Sequence, residues 1–342
     1  MKEYILPKEG QFYKANLHCH TVNSDGYLTP EELKKIYKDA GYSVLAYSDH
    51  NVLLDHSDLD DEEFLTLTSV ELNINRAYEG AGAFRPCYHI NFYPEDQHNV
   101  AIPCFNPKYI SKKHPDLRDA QKYVGTPDFE RDYENINALI NEFAANGYIA
   151  MLNHPTWSLQ TLDDYRNLDS TNIFAMEMYN HGCYVEGYPE VNEHIYDDML
   201  RRGHKFFCTA TDDNHNHYSK ESGHWDSCGG FVMIKAPELT HKAIFEALKA
   251  GDFYASTGPE IKELYIEDGV LHVETSPATR ISLSTAVRQA KVAHPEVGAP
   301  LLTHAEFDLS NIYPGYIRLT VTDENGLSAW SQPVWGEFSG VR

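Results

Sequence analysis

The feature that most constrains this chain is a concentration of imidazole and carboxylate groups near its start. The stretch NLHCHTVNSDG carries His18, His20 and Asp25, and YSDHN follows with Asp49 and His50. In an H-x-H pair on extended backbone the two imidazoles share one face while the intervening residue, here Cys19, takes the other. Any fold of this sequence has to bring two strand ends together around these groups. A hydrophobic core has no use for so many ionisable side chains, so the pattern predicts a polynuclear metal site.

The remaining sequence repeats the theme. QFYKANLH reads as a strand running into the first histidines. Thr29 and Glu32 form a capping box with Pro30 at the first helical position, and Leu33, Ile36, Tyr37 and Ala40 make one apolar face that ends at Gly41. SVLAYSDH, FLTLTSVEL with Glu71, YHINFY with His89, YIAMLNHP with His154, IFAMEMYN with Glu177 and HKFFCTATDDNH with Asp213 and His215 are further short strands near ligand-type residues. A long helix is expected over about 128–146. Strands that repeatedly deliver functional groups at their ends are the pattern of a β/α barrel, whose C-terminal loops hold the chemistry. A doubly wound open sheet gathers such groups at one crevice instead.

Two segments break the rhythm. Residues 94–126 are rich in proline and carry Lys108, Lys112, Lys113, Arg118 and Lys122. Such a long insertion reads either as a substrate-facing lid suited to phosphate or carboxylate, or as a solvated excursion. After a helix from Thr240 to Ala250 that stops at Gly251, the texture changes to short alternating runs with turns at Asp268-Gly269 and Asn325-Gly326. Residues 259–342 are therefore expected to form a small antiparallel β domain following a domain of residues 1–258. Trp330, Trp335 and Tyr316 offer either a carbohydrate-stacking face or core aromatics.

Composition narrows the function. The formal charge of -23, from 51 acidic against 28 basic side chains, opposes the broad positive surface that long nucleic acids need. The six cysteines are scattered without a C-x-x-C pair, which argues against a sulfur-only zinc site or a disulfide scaffold. No apolar run spans a bilayer and no leader precedes the first strand, so a cytoplasmic location is the default expectation, with secretion open if a leader has been removed. Oligomeric state is not legible.

The ordered motifs NLHCHTVNSDG, YSDHN, VEL, YHINF, LNHP and DDNH resemble those of the PHP (polymerase and histidinol phosphatase) superfamily of metal-dependent phosphoesterases, over about residues 12–258. That resemblance implies a distorted seven-stranded (β/α) barrel of α/β class and two or three divalent ions, Zn, Mn or Fe. It implies His18 and His20 as ligands of one metal closed by Asp213, and Glu71 as a bridge to a second held by His89 and His154. Asp25, His50 and His215 are implied around a third. Asp212 is the alternative to Asp213 should the loop be one residue out of register. The segment GGFVMIKAPELTHKAIFEALKAGDFYASTGPEI, together with YIRLTVTDENGLSAWSQPV, resembles the ending of two-domain bacterial proteins of this kind.

Histidine and carboxylate donors suit borderline cations, which lower the pKa of water and screen charge on phosphoryl oxygens. The expectation is hydrolysis of a phosphoester in a small metabolite, a nucleotide or a short oligonucleotide end, with Glu71 and Asp213 at the centre. His181, His217 and His224 are candidate general acids, His181 first among them. Glu177 and Asn180 are candidates for orienting a ligand histidine. Asp49 reads as a ligand partner or a loop anchor, and Arg76 and Arg85 as phosphate clamps or surface pairs. Hydrolysis of an amide or glycoside, and a noncatalytic metal-containing polymer-binding protein, are the competing readings.

Overall fold

A computed structural model describes residues 2–77 and 85–338. Strand β1 (Lys2–Tyr4) precedes β2 (Gln11–Asn16), which pairs in parallel with β3 (Val44–Tyr47), and β3 pairs in parallel with β4 (Leu65–Thr68). At Ser69, whose hydroxyl donates to the Tyr47 carbonyl at 2.7 Å, the chain leaves this sheet. It continues as β5 (Val70–Asn75), antiparallel to β6 (Cys87–Pro94), which is antiparallel to β7 (Tyr148–Leu152). Strands β8 (Ile173–Asn180) and β9 (Phe207–Thr211) extend that second sheet in parallel. Strands β10 (Phe231–Ala236) and β11 (Phe253–Ser256) return to the first sheet, β10 running antiparallel to both β2 and β11.

The architecture is mixed α/β and rich in sheet. Strands β2–β11 divide between two sheets instead of closing one ring. The edges meet through side chains, as where the Phe207 and Phe253 rings pack edge to face at 5.8 Å. Antiparallel β6 and β10 also depart from the regular (β/α) alternation of the implied seven-stranded barrel. The antiparallel direction has a consequence for the site: His89 lies near the start of β6, yet reaches the same edge as ligands that follow the ends of β3, β7 and β9.

Local chemistry accounts for the helices. The Thr29–Glu32 capping box starts Pro30–Asp39, which buries Pro30, Leu33 and Tyr37, and Gly41 beyond it takes a φ of 79°. The helix expected over 128–146 is shorter, Ile136–Ala145 after a 3-10 turn at Tyr133–Asn135. Upstream, Arg131 is drawn off to donate to the side chain of Asn51 and the carbonyl of Asn73, 2.5 and 2.9 Å away, which holds its backbone outside the helix. No helix among the described residues is long and apolar enough to cross a membrane.

The C-terminal strands are β12 (Ile261–Glu267), β13 (Val270–Ala278), β14 (Arg280–Thr285), β15 (Lys291–Ala293), β16 (Leu302–Asp308), β17 (Gly315–Thr322), β18 (Ser328–Trp330) and β19 (Val334–Gly336). The β12–β13 hairpin turns at Asp268 and Gly269, both with positive φ. Strands β1, β12, β13 and β16 form one sheet, so the extreme N-terminus pairs with the C-terminal region. Strands β14, β15, β17 and β18 prolong the sheet of β10 and β11. Leu264, Val273, Ile281, Leu319 and Val321 are among the buried residues of a second core there.

This second unit is tied to the first by a buried ion cluster. Arg318 on β17 is bidentate to Asp197 at 2.8 and 3.0 Å and donates to Glu193 at 3.1 Å, both on the helix Glu193–Arg201. Trp330 Nε1 donates to the second Glu193 oxygen at 2.7 Å. Trp330 and Tyr316 are buried, which removes them from any carbohydrate-stacking face. Arg318→Leu removes the buried counter-charge of Asp197 and Glu193 and leaves Asp197 only Arg201 at 3.9 Å, and we expect a loss of about 3 kcal/mol in urea unfolding, with part of it restored when Asp197→Asn and Glu193→Gln are added.

Candidate metal centre

Alternation continues past the end of β2. Cys19 bridges to Asn214 and packs with Leu33, Tyr37 and Tyr42, while His18 and His20 face the opposite side with their Nε2 atoms 3.2 Å apart. Loops after β3, β7 and β9 supply His50, His154, Asp213 and His215, and β5 and β6 supply Glu71 and His89. Glu71 is the hub. Its carboxylate is fully buried and lies 3.0 Å from His50 Nδ1 and His89 Nδ1, 3.3 Å from His20 Nε2, and 3.4 Å from the Nε2 atoms of His18 and His154. Asp213 Oδ1 stands 3.1 Å from His18 Nε2 and 2.9 Å from His20 Nε2.

The donors fall into three overlapping groups: His18, His20, Glu71 and Asp213; His50, Glu71 and His89; and His20, Asp25, His50 and His215. The first matches the set that the resemblance implies. In the second, His50 stands where His154 was expected; His154 Nε2 instead lies 3.4 Å from Glu71 and 3.6 Å from Asp213, between two groups. The third contains His20 in addition to the implied residues.

These residues fit divalent cations on two physical grounds. Ligand atoms about 2.0–2.2 Å from a common ion, at tetrahedral to octahedral angles, stand about 3.0–3.5 Å from each other, which is the spacing around Glu71. Moreover, His50 Nδ1 and Glu71 Oε2 are buried without a hydrogen bond although they face each other at 3.0 Å. Two such atoms left without a bond are costly in a protein interior, and a shared cation satisfies both.

Electrostatics points the same way. Burial disfavours a charged ring, but Asp213 and Glu71 outweigh it and raise His20 to about 10; Glu71, with Cys87 assisting, likewise raises His89 to about 10. Burial opposes ionisation of Glu71 too, yet the surrounding histidines, His89 and His18 foremost, hold its pKa well below the usual carboxylate range. In the metal-free protein His20 and His89 therefore hold protons that cations must displace.

An outer layer of carboxylates fixes the inner one. Glu177, also fully buried, accepts from His18 Nδ1 at 2.7 Å, from the His154 backbone N–H at 2.7 Å and from Thr211 Oγ1 at 2.6 Å. The first of these bonds presents His18 Nε2 to the cluster. Asn180 links Glu177 and Asp213 at 2.9 and 3.2 Å. Asp49 is a loop anchor, accepting from Thr21 N, Thr21 Oγ1 and Ser24 Oγ at 2.7–2.8 Å. Asp212 points away from the cluster and accepts from Tyr37 OH and the backbone N–H groups of Cys228, Gly229 and Gly230.

The cluster opens on a cavity of about 600 Å³ whose walls include Trp157, Cys183, Tyr188, His217, Tyr218 and His224. His181, expected as the general acid, is not among the lining residues. Its Nδ1 bonds the Tyr179 hydroxyl at 2.8 Å, and its ring occupies the space that a Cβ on Gly229 would need. A second cavity of about 440 Å³ shares Asp25, His50 and His89 with the first and is walled by Asn51, Asn73, Lys108, Tyr109, Ser111 and Lys113. The proline-rich insertion thus docks beside the cluster, held by His114 Nε2 on the Ser24 carbonyl at 3.0 Å and by Gln121 on the backbone of Leu53. Neither Arg76, which pairs with Glu134 at 2.8 Å, nor Arg85 lines either cavity.

Sequence reasoning passed over Glu190 and Trp157. Glu190 is a buried carboxylate that accepts from the backbone N–H groups of Thr156 and Trp157 at 3.2 and 2.8 Å and so fixes the loop after His154. It lies far along the chain from that loop, with no local signal. Trp157 follows the LNHP motif closely, and its position beside a ligand histidine was the one available clue.

No family model matches the sequence, and no curated protein matches it. Solved structures similar to this chain include a two-domain protein from Bacteroides vulgatus containing a predicted PHP-like metal-dependent phosphoesterase. It is 16% identical, with 96% of this chain and 98% of that chain covered and a TM-score of 0.44. Another is a candidate metal-dependent phosphoesterase from Bifidobacterium adolescentis, 17% identical, with 64% of this chain and 91% of that chain covered and a TM-score of 0.37. A third is an amidohydrolase from Chromobacterium violaceum with bound sulfate and no metal, 16% identical, with 59% of this chain and 87% of that chain covered and a TM-score of 0.38.

The adjacent aspartates should separate cleanly. Asp212→Asn turns an amide donor toward backbone N–H groups and is expected to cost about 3 kcal/mol in chemical unfolding of the metal-free protein. Asp213→Asn should leave that stability much closer to wild type while lowering cation stoichiometry measured by elemental analysis. Because protons compete for the histidines, calorimetric titration with Zn should show proton release on binding and affinity that weakens as pH falls through the neutral range.

Proposed function

We propose that this protein is a metal-dependent hydrolase of phosphoesters in small molecules. The observation that carries the reading is the donor cluster centred on Glu71 opening directly on a solvent-connected cavity. A structural metal site has a closed ligand shell, whereas a catalytic one keeps a position for water or substrate. That contrast favours catalysis over a metal-containing binding protein.

Bound divalent cations would supply an activated water and screen the charge that builds on phosphoryl oxygens. The ligands proposed to hold them are His18, His20, Asp25, His50, Glu71, His89, His154, Asp213 and His215. Glu71 sets the spacing of the whole group because its two oxygens face different imidazoles. Glu177 keeps His18 in one tautomer. The second cavity gives the phosphoryl reading its support over amide or glycoside hydrolysis, since Lys113 and Lys108 stand at its wall beside Asp25, His50 and His89. Lys108 is also paired with Glu130, which leaves Lys113 as the cation better placed to attract an anion.

Protonation of the departing oxygen falls to the histidines of the cavity wall. His217 and His224 are exposed there, and His224 Nδ1 is bonded to the Val185 carbonyl at 3.1 Å. That bond leaves Nε2 as the atom to hold a proton for the leaving group. The chain's acidity keeps long nucleic acids outside the proposed substrate range.

The test is phosphate release from phosphomonoesters, phosphodiesters and short oligonucleotides by protein stripped of metal and reloaded separately with Mn, Zn or Fe. Release restored by metal is expected, with Glu71→Gln lowering turnover by about 10²–10³-fold while near-UV circular dichroism stays native. Silence across the panel with cations stoichiometrically bound would overturn the phosphoester reading.

A further inference from the structure

The cavity and its neighbour differ in chemistry in a way that specifies the alcohol half of the substrate. Among the described residues no lysine or arginine lines the larger cavity, whereas two lysines line the smaller one. The larger cavity instead presents Trp157, Tyr188 and Tyr218 together with Glu186, His217 and His224. Glu186 and Asp226 in that wall, with no lysine or arginine beside them, disfavour a second phosphate or a carboxylate on the leaving group. Aromatic faces combined with hydrogen-bonding groups match a ring that is apolar on its faces and hydroxylated at its edge.

Trp157 is built as a platform and not as a core residue. Its ring is half-buried and packs against His89 and His154 with centroids 5.2 and 4.9 Å apart, placing it at the border of the metal centre. Tyr188 stands 6.4 Å away at 60° to it. The backbone beneath is over-determined. His154 and Leu159 hold positive φ values of 21° and 56°, Glu177 binds the His154 N–H, and Glu190 binds the Thr156 and Trp157 N–H groups. Non-glycine residues stay in that region only where surrounding bonds hold them. A tryptophan fixed in this way loses little freedom when a ligand stacks on it.

We infer that Trp157 is a specificity-determining residue that stacks on an uncharged, hydroxylated ring of the substrate, such as a hexose or the nucleoside of a nucleotide, while the ester phosphate lies between the two cavities. This inference rests on the phosphoester reading for the reacting group and adds the chemical class of the group that leaves. It excludes leaving groups that carry their own anion.

The test uses Zn-loaded full-length protein and four esters: glucose 1-phosphate, adenosine 5'-monophosphate, glycerol 3-phosphate and fructose 1,6-bisphosphate. At least one ring monophosphate should show a KM tenfold or more below those of glycerol 3-phosphate and the bisphosphate; Trp157→Leu should bring the ratio toward one, and Trp157→Phe should restore it. A hexose preference with no adenosine preference, or the reverse, identifies which ring the platform takes. Separately, saturation-transfer NMR with glucose, adenosine and glycerol reads alcohol binding without turnover, and elemental analysis verifies the zinc content of each variant. If Trp157→Leu loses zinc, Tyr218→Ala on the same cavity wall must lower the ring preference instead. Equal KM values for all four esters, or a ring preference that neither variant alters, would overturn the platform while leaving the phosphoesterase intact. If no ester is hydrolysed, NMR still decides: contact of the wild type with glucose or adenosine but not glycerol, lost in Trp157→Leu, upholds the platform, and its absence overturns it.

Discussion

Everything at the centre of this molecule depends on burying one carboxylate, Glu71, among five imidazoles. A lone carboxylate in a protein interior carries a desolvation cost of several kcal/mol, and it keeps its charge only where opposite charge surrounds it. His18, His20 and His89 answer that need with protons in the metal-free protein, and cations held by the cluster would answer it in a loaded one. Neither partner keeps its charge there alone: without Glu71 the rings would give up protons more readily, and without the rings Glu71 would be protonated. The architecture around them can be understood as the means of delivering six side chains, from five separate stretches of chain, to one point.

Delivery is achieved by strand ends, and precision by a second layer of carboxylates that never reach the cluster. Asp49 holds the turn after His20, Glu177 holds His18 and the loop of His154, Asp212 holds the Cys228–Gly230 segment, and Asp226 accepts from the backbone N–H groups of His215 and Asn216. Each of these acids binds backbone donors in loops that would otherwise be free to move. These four acids are thus structural and fix ligand loops.

The candidate ligands were legible because they sit next to short apolar strands in a conspicuous order, and H-x-H announces its own geometry: His18 and His20 face one way and Cys19 the other. Helix ends were equally local, as with Thr29 and Glu32. What escaped the sequence was set by distant partners. The direction of β6 depends on pairing with β5 and β7, so a histidine at a strand start reaches the same edge as those after strand ends. The first three strand residues pair with β12, a contact spanning most of the chain. His181 looked like a loop acid, but the absence of a side chain at Gly229 makes room for its ring away from the cavity. Asp212 and Asp213 are chemically identical in the sequence, and only the backbone turn at Asp213, with a φ of 51°, sends their side chains to opposite sides.

That turn shows how strain and function are joined here. Asp213 and His154 are both candidate ligands, and both hold positive φ, a conformation that costs non-glycine residues of order 1 kcal/mol or more. Glycine would relieve the strain at either position but would supply no ligand atom. The surrounding bonds therefore have to do what glycine does elsewhere: the Asp213 N–H is tied to the His18 carbonyl at 2.9 Å, and the His154 N–H to Glu177. Because His18 is itself held by Glu177, one buried carboxylate constrains His18 and His154 directly and Asp213 through His18. The inner cluster is in this sense a single unit, in which the position of each ligand is a condition on the others.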